Sequence, residues 1–323
     1  MEKDKIVLII SEDRDGTTNE VVEWLKKYKI PAFRINSSDK VIVRIINVKE
    51  KIFSIIINEI ELYSSNIEFL WYRKGMLSFV DKDFSSTVSL NGISEFINLE
   101  SLKLNNYLFE VLREKMIIGD FKKSFVNKLE NIVIAKMVGF EVPETIITSE
   151  KCHVNKLSRN FNIVSKPIGE CLPIKDNNNY YQLYTVDVCH NDFIDNVFFP
   201  TLLQQKIEKW IELRVFVVKD LFFSMAIFSQ NSKQTSTDYR DYDKELMNRM
   251  VPFEIPSDIK NKIVLFMKKT DLDTGSFDFI VDTKGVYYFL EINPVGNIEM
   301  VSKYCNYYIE KAIAQIIRLK YEK

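Results

Sequence analysis

The sequence predicts a mixed α/β (α+β) chain of two or three lobes. Three observations carry this expectation. The chain has 323 residues, more than one ordinary core fills. Its opening alternates strand, helix and strand. Its last third carries apolar strand pairs around tight turns. A composition of 46% hydrophobic and 28% charged residues is globular, with enough apolar surface to bury and too much for a disordered chain.

The elements follow in order. Ile6 to Ser11 reads as a short buried strand. Thr17 and Glu20 have capping-box spacing, and Val21, Val22, Leu25 and Tyr28 continue at helical spacing. Ala32 to Asn36 reads as a second strand, and Val41 to Val48, Lys51 to Asn58 and Phe69 to Arg73 as further ones. Ile93 to Lys115 is expected to be mostly helical. These segments form a small N-terminal α/β domain over residues 1–118.

A central unit is expected over 119–200. Asn127 and Lys128 precede a helix with Leu129, Ile132, Val133, Lys136 and Met137 on its periodic positions, stopped at Gly139. Ile163 to Pro167 and Leu202 to Ile207 read as strands. The C-terminal unit, 201–323, contains two hairpins: Leu213–Val218 with Leu221–Ala226, and Phe277–Asp282 with Val286–Ile292. One closing helix is expected from the apolar stripe Val301, Tyr304, Cys305, Tyr308, Ile309, Ala312, Ile313 and Ile316.

Several function classes are disfavoured. A net charge of -1 advertises neither a nucleic-acid nor an anionic-membrane partner. The apolar stretch Ile6–Ile10 is too short for a signal peptide, and no run approaches a membrane span, so a cytoplasmic protein is expected. The four cysteines (Cys152, Cys171, Cys189, Cys305) include no Cys-x-x-Cys pair. Cys152-His153 and Cys189-His190 resemble metal ligands, but adjacent residues rarely point at one ion, so they read as reduced thiols and ordinary histidines.

The second C-terminal hairpin carries the most chemistry. With a two-residue Lys284-Gly285 turn, Asp278 sits opposite Glu291, and Glu291 shares a face with Asn293. Opposed like charges on paired strands destabilise a sheet. A bound divalent cation removes the repulsion, and oxygen ligands with room for water and phosphate suit Mg2+. The apolar neighbours Phe277, Phe279, Leu290 and Ile292 argue against a merely solvated acidic face. Asp282 reads as a turn residue.

At these residues the sequence resembles the ATP-grasp superfamily, whose metal signature is an Asp on one strand and Glu-x-Asn on the next. Lys128 at a helix start, Lys166 before Pro167, Gln204-Gln205-Lys206-Ile207 at the adenine hinge, Glu212-Leu213-Arg214 and Asp238-Tyr239-Arg240 follow the family's order. Together they span about 170 residues and are far more specific than any one alone. Within the superfamily the chain looks most like the graspetide synthetases of the grasp-with-spasm peptide maturase group. That narrower likeness rests on Ser11-Glu12 with Asp15 and Thr18, on Trp71-Tyr72-Arg73-Lys74-Gly75, and on Ser165-Lys166-Pro167. One departure is that Ile168 to Pro173 has a single glycine where many relatives have a glycine-rich phosphate loop, so side chains are expected to cover the phosphates.

The resemblance implies an ATP-grasp fold in which a nucleotide lies between two β-sheets. It implies ATP and Mg2+ as cofactors, with Asp278, Glu291 and Asn293 as metal ligands. Lys128 and Lys166 would meet the α- and β-phosphates, and main-chain groups around Gln205 and Ile207 the adenine. Glu208 or Glu212 would accept the ribose hydroxyls. Arg214 and Arg240 would face the transferred phosphoryl group. The implied activity is phosphorylation of Glu or Asp side chains of a ribosomal precursor peptide, leader plus core, followed by attack of Ser or Thr hydroxyls or Lys amines. A homodimer is implied as well. Another carboxylate-amine ligase, of the ribosomal-protein glutamate ligase type, and a non-catalytic nucleotide-binding module stay open. Trp71, Tyr72 and Arg73 read equally as the peptide side of the cleft or as a core strand ending in a surface Arg.

Overall fold

The computed structural model describes residues 5–80, 92–169, 174–176, 179–181, 184–230 and 248–322. Strand β1 (Ile6–Ser11), helix α1 (Gly16–Lys27) and strand β2 (Ala32–Asn36) open the chain as expected. Asp15 caps α1, accepting the Thr18 amide at 2.7 Å. The cap is therefore two residues earlier than the expected Thr17, whose side chain is buried. A carboxylate at a helix start is also favoured by the helix dipole.

Strands β3 (Lys40–Asn47), β4 (Ile52–Ile57), β5 (Ile60–Tyr63), β6 (Ile67–Tyr72) and β7 (Ser78–Phe79) follow, then α2 (Ile93–Leu112) and β8 (Met116–Ile118). They build two sheets, in the orders β2-β1-β6-β8 and β5-β4-β3-β7. The first is parallel throughout. Its central strand β1 is apolar on both faces, as a parallel sheet covered on both sides requires. Val7 and Ile9 join one core with α1 and the C-terminal helices, while Leu8 and Ile10 join another with α2 and the second sheet.

The next unit runs through α3 (Lys128–Met137), β9 (Thr145–Glu150), α4 (Lys151–Ser158), β10 (Ile163–Lys166), β11 (Ile174–Asp176), β12 (Asn179–Tyr181), β13 (Val186–Val188) and β14 (Val197–Gln205). Asn127 caps α3. The sheet order β13-β10-β14-β9 is antiparallel, with β11 and β12 as a separate hairpin.

The last unit contains β15 (Lys209–Val218), β16 (Leu221–Phe228), β17 (Arg249–Pro252), α5 (Ser257–Thr270), β18 (Thr274–Asp282), β19 (Tyr287–Asn293), α6 (Glu299–Cys305) and α7 (Ile309–Tyr321). Its sheet, β17-β16-β15-β18-β19, is antiparallel. One face packs Leu213, Val215, Phe277, Phe279 and Phe289 under α5. Part of the other face, with Phe216 and Val218, shares a core with α6, α7 and the N-terminal parallel sheet. The single closing helix expected from the apolar stripe is two helices. Asn306 and Tyr308 adopt left-handed backbone at φ 54° and 53°, which breaks the helix, and Tyr308 is exposed. Among the described residues no helix is long and apolar enough to cross a membrane.

Candidate active site

A cleft opens between the β13-β10-β14-β9 sheet and the five-stranded sheet. Alternation along β15 and β18 supplies its floor. Leu213, Val215, Phe277 and Phe279 turn into the core, so Glu212, Arg214 and Asp278 turn into the cleft.

Asp278 pairs with Glu291 across β18 and β19, the register expected from the sequence. The route to it differs. The turn has three residues, not two: Asp282 and Val286 flank Thr283, Lys284 and Gly285, with Gly285 at φ 82°. Leu290 then forms a bulge, since Phe279 faces Phe289 while Asp278 faces Glu291. The bulge lets Phe289 and Ile292, three residues apart, both reach the core while Leu290 and Glu291 both line the cleft. Asp282 accepts the Lys284 and Val286 amides through its side chain, as a turn residue does.

Each cleft carboxylate is held by a cation. Arg214 donates to both oxygens of Asp278, at 2.8 and 2.6 Å. Lys128, projecting from the start of α3, lies 3.2 Å from Glu291. Lys209 donates to Glu212 at 2.6 Å, and Ser229 donates to the same oxygen at 2.7 Å. The repulsion inferred from the sequence for Asp278 and Glu291 is thus already relieved by Arg214 and Lys128, before any metal is invoked. With Lys166 and Lys206 also present, the lining holds five cations against three carboxylates, a balance that suits a polyphosphate.

The hinge residues sit on β14 and just beyond it. Gln204 is buried and donates to Thr145 at 2.8 Å. The main-chain amides of Gln205 and Lys206 are engaged by Glu144 and Asn162 carbonyls at 2.8 Å each. The Lys206 ammonium turns to Asp187. Ile207 is buried in the cleft wall. Lys166, on β10, lines the same wall, whereas Glu208 is exposed and is not part of the lining.

Asn293 does not line this cleft. It lies in an adjoining cavity with Glu291, Lys128, Val295 and residues of the N-terminal unit, and its side-chain oxygen accepts the Val295 amide at 3.1 Å. Arg240, with Asp238 and Tyr239, falls outside the described residues, as does the 170–173 segment. Trp71, Tyr72 and Arg73 are all buried, so Arg73 is not a surface residue. Tyr72 touches the adjoining cavity, donates to the Gly75 carbonyl at 3.0 Å, and is pushed up to about 12 by burial.

Lys209 was not foreseen from the sequence. Three residues before Glu212, it belongs on the opposite face of a regular strand. An irregularity between Lys209 and Ile211 brings both onto the cleft face, and no local residue signals it. Elsewhere, the ligand atoms of Glu150, Cys152 and His153 come within 4.8 Å of one another on an exposed surface, closer than the sequence suggested.

The oxygen donors present fit a hard divalent cation. A carboxylate oxygen has a second lone pair, so Asp278 can ligate a metal while keeping Arg214. The side-chain oxygen of Asn293 likewise has a lone pair beyond the one facing Val295.

No family model matches the sequence, and no curated protein matches it. Solved structures do. A RiPP-associated ATP-grasp ligase from Chryseobacterium gregarium, in complex with ADP and a leader and core peptide, is 23% identical, with a TM-score of 0.84 over 98% of this chain and 97% of that one. The macrocyclase MdnC from Microcystis aeruginosa, bound with precursor peptide MdnA, is 24% identical, with a TM-score of 0.79 over 96% and 98%. N5-carboxyaminoimidazole synthetase from Staphylococcus aureus is more distant, at 10% identity and a TM-score of 0.51 over 92% and 72%. The chain has the ATP-grasp fold.

Proposed function

We propose that this protein is an ATP-dependent peptide ligase, a macrocyclase that activates Glu or Asp side chains of a ribosomal precursor peptide and joins them to Ser or Thr hydroxyls or Lys amines. The observation that carries the reading is the cleft row Arg214, Asp278, Glu291 and Lys128, positive charges flanking a pair of facing carboxylates. The fold neighbours solved with leader, core or precursor peptides favour a peptide acceptor over a free metabolite.

In this reading Lys128 and Lys166 draw the nucleotide phosphates into the cleft. Asp278, Glu291 and Asn293 would hold Mg2+, which supplies charge neutralisation at the phosphate oxygens. Arg214, anchored on Asp278, stabilises the transferred phosphoryl group, and Arg240 is assigned to the same group on the sequence resemblance alone. The hinge donor to adenine is assigned to Ile207, the next residue along, because the Gln205 and Lys206 amides are engaged within the protein. Glu212, oriented by Lys209 and Ser229, faces the ribose. The peptide carboxylate attacks the γ-phosphorus and ADP leaves. The hydroxyl or amine then attacks the acyl carbon, phosphate leaves with the bonding pair, and the nucleophile's proton goes to solvent. No covalent enzyme intermediate is needed, so catalysis comes from positioning and electrostatics. A cytoplasmic homodimer is the assembly we assign.

The test is mass spectrometry of a candidate precursor peptide after incubation with ATP and Mg2+. Each link should remove about 18 Da, the mass any condensation loses. Glu291→Gln should abolish the change. Full turnover by that variant would overturn the metal assignment.

A further inference from the structure

Resting on the nucleotide–metal reading above, we infer that Arg73 is a positioning residue for the metal loop: from the N-terminal unit it fixes Val295, and through Val295 the side chain of Asn293.

The N-terminal parallel sheet has the order β2-β1-β6-β8. The chain therefore leaves β1 towards β2 on one side and β6 lies on the other. In such sheets the crevice at the carboxyl ends of the two diverging strands is where ligands sit. Asp15 follows β1 at that end and Arg73 follows β6. What reaches this crevice is the chain's own loop after β19. Arg73 donates to the Val295 carbonyl at 2.9 Å and pairs with Asp15 at 3.4 Å. Val295 in turn donates its amide to the Asn293 side-chain oxygen at 3.1 Å. Both backbone groups of one residue are thus held, one by Arg73 and one by the proposed ligand.

Stability alone accounts poorly for this arginine. It is only 6% exposed, and among the described residues its Nε has no hydrogen-bond partner. A buried charge with an unpaired N–H is a poor stabiliser compared with an apolar side chain of the same size. Orientation of a metal ligand by a group behind it is a stronger reason to keep it, and loss of such groups commonly weakens metal affinity about 10- to 100-fold. The packing of the loop is tight enough to transmit the constraint: a Cβ on Gly296 would lie 2.9 Å from Ser276 on β18.

The experiment is calorimetric titration of the full chain with ADP, with and without Mg2+. Arg73→Met should reduce the Mg2+-dependent gain in ADP affinity about 10-fold or more, with Mg2+-free affinity within about twofold. Asp15→Asn, which keeps a good helix cap but weakens the Arg73 anchor, should show a smaller loss of the same kind, and serves if Arg73→Met fails to fold. In an Asn293→Ala background Arg73→Met should add less than about twofold, as coupled residues do. A lowered melting temperature with an unchanged Mg2+ gain would reduce Arg73 to a strut and overturn the inference. Absence of any Mg2+-linked ADP binding in the unsubstituted protein would instead sink the nucleotide reading itself.

Discussion

Arg214 and Asp278 face each other in register on β15 and β18, and the guanidinium takes both carboxylate oxygens. Next along the same row come Glu291 and then Lys128, so two facing carboxylates are flanked by a cation on each side. Such a row acts as a unit. Arg214→Ala and Asp278→Ala should each lower kcat/KM for ligation by about 100-fold or more. The double variant should be about as impaired as either one, because residues acting together are not additive. The pair is mostly buried, at 13% and 19% side-chain exposure. Urea titration of the same cycle should give a coupling of about 1–3 kcal/mol, below the cost of breaking a fully buried pair. Additive losses of activity would separate the two residues.

The row was legible in the sequence because pairing depends on residue spacing across a hairpin. It was reached by compensation: the extra turn residue at Thr283 and the bulge at Leu290 shift the register by one residue each, in opposite directions. Where no compensation operates, spacing fails. Lys209 is invisible because a strand irregularity reverses its face. The break between α6 and α7 is invisible because Val301, Cys305, Ile309 and Ile313 stay on apolar spacing across it. Alternation and periodicity report which face is buried. They do not report single residues in left-handed backbone, which depend on tertiary partners. The sequence leaves Arg73 open between cleft and surface for the same reason: its partner Val295 lies 222 positions away.

Two glycines separate backbone strain from crowding. Gly285, in the hairpin turn, has φ 82° and open space where a Cβ would go. Gly285→Ala should cost about 1 kcal/mol, the conformational penalty alone. Gly119 has φ 76°, and a Cβ there would lie 2.2 Å from the Tyr72 carbonyl oxygen. Backbone cannot yield as a side-chain tip can. Gly119→Ala should therefore cost well beyond the roughly 1 kcal/mol of the first variant. Urea midpoints at constant m-value measure both, and equal costs would contradict the contact at Tyr72.

Among the described cysteines, burial divides reactivity. Cys305 is buried between α6 and the N-terminal core, and its thiol is pushed up to about 11 by desolvation. Cys152 and Cys189 are exposed. Iodoacetamide at pH 8 should label Cys152 and Cys189 in the native protein and Cys305 only after urea, as read by peptide mass mapping. The Cys152 thiol donates to Glu150 at 3.3 Å, which raises its pKa. Glu150→Gln removes that negative charge, so Cys152 should be labelled several-fold faster, about the change expected for a modest fall in thiol pKa. An unchanged rate would show that the carboxylate does not govern this thiol.

Glu310 gives the fold a pH dependence of defined sign. The side chain is 3% exposed at the start of α7, and burial raises its carboxyl above the usual range. Ser302 opposes this by donating to the carboxylate at 2.5 Å, while Glu20 and Glu299 reinforce it. The folded state therefore holds the proton more tightly than the unfolded chain does. Its contribution is complete below the unfolded value and is lost as pH rises through the folded one. Glu310→Gln keeps an acceptor for Ser302 and abolishes the titration. The variant should melt higher than the parent at pH 8, and the gap should narrow as pH falls towards 4. Differential scanning calorimetry across that range checks the sign: a gap that widens towards acid would mean that Glu310 is stabilised as the anion.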